Sequence, residues 1–258
     1  RSNLMKKLMD PIMVNLTIDG QRISVKEGTT VLEAAGKLGI YIPTLCHHES
    51  LLPYGGCRLC VVELFRNGSS ELTASCTHRV EEGLTVRTAT GRVQKVRRLV
   101  LELLLAEAPE ARSIRELAEE MGVSPSPRLK PRKDDLCILC GRCIRACREV
   151  VSVHAIDYAG RGYVRQVASP FFKSSPDCIA CGTCFYICPT GAITMREVGE
   201  GEQVRVPGGE EVKGPARVME NGKVGLTMKR CTQCGEIIAP EFQLEYLRKR
   251  VGLKDDHF

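Results

Sequence analysis

Tryptophan is absent from this sequence of 258 residues, and Phe and Tyr occur six times each. So few large rings argue against one extensive apolar core. A chain of this length is expected to hold more than one unit, because domains usually run about 100–200 residues. No stretch approaches the ~18 consecutive apolar residues of a membrane-spanning helix. Residues 1–12 (RSNLMKKLMDPI) are basic but lack the apolar centre of a secretory leader, and they read as a tail. Also missing are a strand–GxGxxG–helix for a dinucleotide, a phosphate loop and a nucleophile elbow. Gly160-Arg-Gly162 and Gly199-Glu-Gly201 lack both the third glycine and the strand before it. No residue pattern for flavin, nickel or molybdenum stands out, so the chain is expected to perform no substrate chemistry of its own.

Cysteine, by contrast, occurs fourteen times. Cys137-x2-Cys140-x2-Cys143-x3-Cys147 is repeated 41 residues later as Cys178-x2-Cys181-x2-Cys184-x3-Cys188-Pro189. Four cysteines at this spacing wrap a cubane iron–sulfur cluster, with three close thiolates on one cluster and the fourth crossing to the other. Cys137, Cys140, Cys143 and Cys188 are therefore expected on one [4Fe–4S] centre, and Cys178, Cys181, Cys184 and Cys147 on the second. Zinc is the alternative, but zinc sites use two separated Cys pairs rather than a run of four. Clustered Cys-x2-Cys spacings without a leader point to metal in a reducing compartment, so the cytoplasm is the expected location.

The formal charge of +6 counts every cysteine as neutral. Each loaded cluster adds about −2, so three would cancel it, and the apparent basicity is no argument for nucleic acid.

Ahead of the doubled run, Met13–Ile18 and Ile23–Val25 alternate around Asp19-Gly20, a hairpin signal. Thr30-x-x-Glu33 makes a capping box for a helix over about 31–38, with Gly39 as its stop. Further strands are expected at Val61–Phe65, Leu72–Ser75 and Leu84–Arg87, with Asn67-Gly68 turning between the first two. Hairpin followed by helix is how a β-grasp ferredoxin begins, and Cys46-x10-Cys57-x2-Cys60-x15-Cys76 then suits a [2Fe–2S] centre. Gly55 and Gly56 would let the backbone approach the inorganic sulfides. His47 and His48 sit beside a ligand and could tune it by hydrogen bonding.

Cys46-His47-His48 through Gly56-Cys57-Arg58-Leu59-Cys60-Val61-Val62-Glu63 resembles the N-terminal [2Fe–2S] domain of the complex I large iron–sulfur subunit. It is similar, too, to the diaphorase iron–sulfur subunit of NAD-reducing hydrogenases and to the start of some iron-only hydrogenases. The resemblance covers residues 13–195 and breaks at one place. Those relatives carry a His-x3-Cys-x2-Cys-x5-Cys cluster between the two domains, whereas residues 77–136 here hold no cysteine and one histidine, His78. Electrons would then pass directly from the [2Fe–2S] centre to the ferredoxin-like pair, or through a partner's cluster.

In place of that cluster, Val93, Val96, Val100, Leu103 and Leu104 follow helical spacing over 93–107, a shorter helix is expected at about 111–121, and residues 122–133 read as a Pro-rich basic linker. Arg142, Arg145 and Arg148 interleave the first cubane run, where positive charge would raise a cluster's potential. His154 reads as ordinary packing or surface. Residues 196–228 suggest hairpins around Pro207-Gly208 and Asn221-Gly222. The last motif, Cys231-Thr-Gln-Cys234-Gly235, precedes a helix over about 240–250 and is half of a four-ligand site, for zinc or for a cluster shared with a partner. Free thiols are its plain alternative, and His257 is a candidate third ligand in an otherwise solvated tail.

The expected class is α+β: a β-grasp [2Fe–2S] domain over 13–90, a helical segment and linker over 91–133, a bacterial-type 2[4Fe–4S] ferredoxin domain over 134–195, and hairpins with a Cys knuckle and helix over 196–258. The resemblance implies an electron-transfer subunit of an NAD(P)-linked oxidoreductase complex. Its implied partners are a flavoprotein that handles NAD(H) and a catalytic subunit, a [NiFe] hydrogenase or, as runner-up, a formate dehydrogenase. Three clusters would also serve electron bifurcation with ferredoxin. The alternative of another class is a free-standing ferredoxin-like carrier.

Overall fold

Alternation along Met13–Ile18 (β1) puts Val14, Leu16 and Ile18 on one face. In the computed structural model, which describes residues 11–132 and 135–252, that face is buried. β1 pairs antiparallel with Gln21–Lys26 (β2), Val14 opposite Val25. Asp19 (φ 48°) and Gly20 (φ 86°) both take positive φ, as a two-residue turn needs to match the twist of its strands. The Asp19 carboxylate accepts from Thr88 N and Oγ1 at 2.9 and 2.5 Å, tying this turn to the end of Leu84–Arg87, the strand that runs beside β1. Val31–Lys37 (α1) starts at the expected capping box: Thr30 Oγ1 accepts from Glu33 N, and Glu33 Oε2 accepts from Thr30 N at 2.7 Å. Val61–Arg66 (β3), Ser69–Ala74 (β4) and Leu84–Arg87 (β5) complete a five-stranded sheet of order β2-β1-β5-β3-β4, in which β1 and β5 run parallel. One face of it packs with Val31, Ala34 and Ala35 of α1 around Leu16, Ile18, Val62, Leu64 and Val86.

Gly91–Glu107 (α2) is capped by Thr90 and packs on β3. Glu63, on β3, is buried but not bare: it accepts from Thr90 Oγ1 at 2.6 Å, Ser70 Oγ at 2.8 Å and Arg92 Nη1 at 2.6 Å. Those hydroxyls, Thr90 first, and the Arg92 charge hold its carboxyl below the usual range.

The apolar stripe expected on α2 requires correction. Its buried residues are Val93, Arg97, Leu101 and Leu105, four apart, while Leu103 is half exposed. The expected Val96, Val100 and Leu104 are half-buried, and the most buried line on the helix, which begins at the expected Val93, contains an arginine. Arg112–Glu120 (α3) packs on α2 with Ile114 and Ala118 buried. Beyond it, Arg132 N–H donates to the Ala106 carbonyl at 2.8 Å, and its side chain pairs with Glu107, so residues 122–132 are fastened to the end of α2.

The chain divides into two compact units, the first ending at Asp135 and the second beginning at Leu136. In the second, Arg142–Arg145 (α4) continues into a π-helical turn, Ala146–Val151. Asp157–Ala159 (β6) pairs with Gln166–Ala168 (β7), and Thr183–Tyr186 (α5) is one helical turn. Next come Met195–Val198 (β8), a small hairpin of Gln203–Arg205 (β9) and Glu211–Lys213 (β10), then Ala216–Met219 (β11), Val224–Arg230 (β12) and Ile237–Pro240 (β13). Strands β13-β12-β11-β8 form an antiparallel sheet. Glu241–Val251 (α6) is anchored by Tyr246 Oη and Arg250 Nη1, each donating to the Val151 carbonyl at 2.7 Å. Among the described residues no helix is long and apolar enough to cross a membrane. The basic tail read at 1–12 lies, up to residue 10, outside the described residues, as does His257.

Candidate metal centres

Four cysteines converge beside the five-stranded sheet. Cys46 lies in the loop after α1, Cys57 and Cys60 precede β3, and Cys76 follows β4. Cys46, Cys60 and Cys76 are each 1 % exposed. The Cys46 sulfur meets those of Cys57 and Cys76, and the Cys60 sulfur meets Cys76. Neighbouring thiols lower the Cys46 and Cys60 pKa values, and the same contacts, with burial, push Cys57 and Cys76 up. The dominant contacts are Cys57 for Cys46 and Cys76 for Cys60. A two-iron centre needs two thiolates per iron, so this donor set fits one. The backbone is shaped for it as well. A Cβ on Gly56 would stand 2.4 Å from the Tyr54 ring, and the Gly56 and Cys57 N–H groups are directed at Cys46 Sγ, the latter at 3.4 Å.

The doubled run repeats in its backbone as it does in its sequence. Leu139 and Ala180, each two residues after the first cysteine of a run, have φ of 52° and 49°. Gly141 and Gly182, each after the second cysteine, have φ of 72° and 77°. A left-handed conformation costs an L-residue about 1–2 kcal/mol. Here it turns an N–H onto sulfur: Leu139 N lies 3.4 Å from Cys137 Sγ, and the Ala180 N–H is directed at Cys178. Arg142 N–H serves Cys140, and Leu59 N–H serves Cys57, with the same two-residue offset. Such alternating turns make concave nests of N–H groups that suit anions and sulfide.

The cysteines of this unit sort electrostatically into two sets. Cys140 and Cys143 act with Cys137 and Cys188, whereas Cys147, Cys178 and Cys184 act with one another and with Cys181. The sets are not cleanly separate at Cys143, where Cys184 acts more strongly than Cys188 or Cys137. Burial is the leading cause that pushes Cys140, Cys143, Cys147, Cys178 and Cys184 up as thiols, Cys140 and Cys178 to about 11. Neutral thiols suit this apolar pocket, and iron would have to displace their protons. Cys143 on α4 and Cys147 in the π-helical turn belong to different sets, so one short helical stretch contributes to both.

Cys147, Cys178, Cys181 and Cys184 line one cavity, and its wall is completed by Met219, Asn221 and Gly222. Asn221 Oδ1 accepts from Thr194 N at 3.0 Å, fixing the β11–β12 turn over the stretch that follows Cys188. A Cβ on Gly222 would sit 3.4 Å from Cys178 Sγ. Sequence reasoning recognised Asn221-Gly222 as a turn but carried no local signal of where its tip lands. Arg145, in the first run, is buried, whereas Arg148 is half exposed. His154 is exposed; its backbone N–H, with those of Ala155 and Ile156, serves Cys147, Ala155 N at 3.3 Å.

Cys231 and Cys234 sit between β12 and β13. The Cys234 and Gln233 N–H groups are directed at Cys231 Sγ and lower its thiol pKa, the same two-residue grip as at the other pairs. Among the described residues no group of three or more His, Cys, Asp or Glu side chains gathers in single-ion geometry, so this pair remains a pair.

Residues 12–91 match the profile of a 2Fe-2S iron-sulfur cluster binding domain, and residues 132–195 and 177–237 match two profiles described as 4Fe-4S dicluster domains. The chain is 38% identical over 215 residues to the NADP-reducing hydrogenase subunit HndD of Solidesulfovibrio fructosivorans, covering 72% of this chain and 36% of that protein. Against a chain of the NADH-quinone oxidoreductase of Rhizobium meliloti it is 34% identical over 206 residues, covering 70% of this chain and 24% of that one. It therefore spans about a quarter to a third of the length of these curated relatives. A chain in the crystal structure of NAD+-reducing [NiFe]-hydrogenase in the H2-reduced state superposes with a TM-score of 0.60 at 32% identity, over 69% of this chain and 86% of that one.

Proposed function

The chain belongs to the family of iron–sulfur subunits shared by NAD(P)-linked hydrogenases and NADH-quinone oxidoreductases, and from that membership we propose that it is the electron relay of a larger complex. Cys46, Cys57, Cys60 and Cys76 hold a [2Fe–2S] centre. Cys137, Cys140, Cys143 and Cys188 hold one [4Fe–4S] centre, and Cys147, Cys178, Cys181 and Cys184 hold the other. Bound clusters supply one-electron carriage. The protein's own residues orient the sulfurs, aim N–H groups at them and exclude water. Support comes above all from the single cavity lined by Cys147 together with Cys178, Cys181 and Cys184, the fourth cysteine of one run among the first three of the other.

A flavoprotein that handles NAD(H) docks on the [2Fe–2S] side, and a catalytic subunit on the [4Fe–4S] side, within the cytoplasm. The solved relative is an NAD+-reducing [NiFe]-hydrogenase, which favours a nickel–iron hydrogenase as that catalytic subunit. Cys231 and Cys234 form a metal half-site, gripped like the cluster pairs and completed by thiolates of the neighbouring subunit.

Anaerobic native purification with mass spectrometry of every co-purifying subunit tests this assignment. A flavoprotein and a nickel-containing subunit are expected, and a molybdenum subunit would redirect the substrate to formate. Recovery of the chain alone, brown and fully loaded, would replace the complex with a free carrier. For the ligand set, Cys46→Ala is expected to abolish the [2Fe–2S] signal and leave the cubane signals in place.

A further inference from the structure

Arg97 interrupts the buried stripe of α2 with a charge. It is 4 % exposed, between Val93 and Leu101 on the face that packs on β3. Its Nη2 donates to the Val61 carbonyl at 2.7 Å, and its Nε is buried without a hydrogen-bond partner. Among the described residues no carboxylate forms an ion pair with it. The negative groups whose fields reach it are Cys60 first, then Asp19 and Tyr41. Asp19 has both carboxylate oxygens engaged by Thr88, and the Tyr41 side chain is largely exposed. A guanidinium withdrawn from water and left without a counter-charge is unfavourable unless opposite charge lies close by. Cys60, a member of the ligand set, exerts the largest of these fields, and Val61, whose carbonyl takes the guanidinium, directly follows it in the chain.

We propose that Arg97 is the counter-ion of the [2Fe–2S] centre, a positioning residue that raises its reduction potential. The proposal rests on the assignment of Cys46, Cys57, Cys60 and Cys76 as ligands. A [2Fe–2S] centre held by four thiolates carries about −2 when oxidised and about −3 when reduced. The added electron is therefore stabilised by a fixed positive charge, and more so from inside the protein than from its surface, where water and salt screen it. The hydrogen bond to Val61 holds that charge against the backbone leading out of Cys60, so charge and geometry act at the same end of the site.

The test is a mediator titration of the full chain with dithionite, following the [2Fe–2S] and cubane signals separately by electron paramagnetic resonance. Arg97→Gln keeps a donor for the Val61 carbonyl and removes the charge, and Arg97→Lys keeps the charge. At the wild-type midpoint, Arg97→Gln is expected to lower the reduced-to-oxidised ratio of the [2Fe–2S] centre at least tenfold, a shift of about 59 mV for one electron. Arg97→Lys should stay within threefold of wild type, and the cubane midpoints should not move in either variant. Arg97→Met, of similar length and uncharged, takes the place of Arg97→Gln if the latter does not fold. An uncharged variant within twofold of wild type would overturn the proposal, as would equal shifts in the charged and uncharged variants. A wild-type chain with no [2Fe–2S] signal would instead defeat the ligand assignment, and the proposal with it.

Discussion

In the first unit the core is filled mainly by the aliphatic side chains of β1, β3, β5 and α1, with Cys60 and Cys76 a small share of it. In the second, Cys143 and Cys147 are core residues and Cys178, Cys184 and Cys188 pack around them. Cysteine is thus a small share of the core in one place and a large share in the other. The β-grasp sheet has enough buried carbon to hold itself together, since each fully buried Val, Leu or Ile contributes about 1.5–3 kcal/mol. The ferredoxin-like part has short strands and one-turn helices, and its largest shared partner is the metal it is built to hold. Metal affinity and folding stability are then the same quantity there, and nearly separate quantities in the first unit.

Anaerobic removal of iron gives the largest expected effect. Hydrogen exchange should show residues 142–151 losing their protection completely, while β3 and β5 keep theirs to within tenfold. Equal loss in both units would break the contrast. A smaller effect is expected from Leu64→Ala, which deletes a side chain with no exposure in the first core. It should cost that unit about 2–5 kcal/mol in denaturant titration and leave both cubane signals unchanged. The smallest is electrostatic. The Glu63 pKa is lowered in the folded state, so its contribution is present above the unfolded value of about 4.3 and fades as pH falls through the folded one. Glu63→Gln should therefore flatten the acid limb of the first unit's melting curve below about pH 4.3 and leave the second unit's acid response as it was. A change in both limbs would mean that the two units share this carboxylate's contribution.

How much of this could be read in advance follows the range of the interactions. The hairpin at Asp19-Gly20, the capping box at Thr30 and Glu33, and the turn at Asn67-Gly68 are local, and local residue chemistry decides them. The iron–sulfur domains were legible for a different reason: iron imposes a cysteine spacing that few other ligands tolerate. Arg97 was not legible, because only packing on the sheet decides which line of α2 is buried most deeply. A signal existed in the four-residue spacing of Val93, Leu101 and Leu105 around Arg97, but an arginine is normally assigned to solvent. Gly222 was hidden for the opposite reason, being an ordinary turn residue whose importance lies in what it faces, Cys178, 44 positions earlier.

The helical stretch shared by Cys143 and Cys147 has a bearing on control. The two cysteines stand four residues apart where an α-helical turn passes directly into a π-helical one. On the proposed ligand assignment, no hinge or loop separates the two [4Fe–4S] centres along this stretch. Regulation of the proposed relay is then expected before the pair or after it, at the surfaces where electrons would enter and leave.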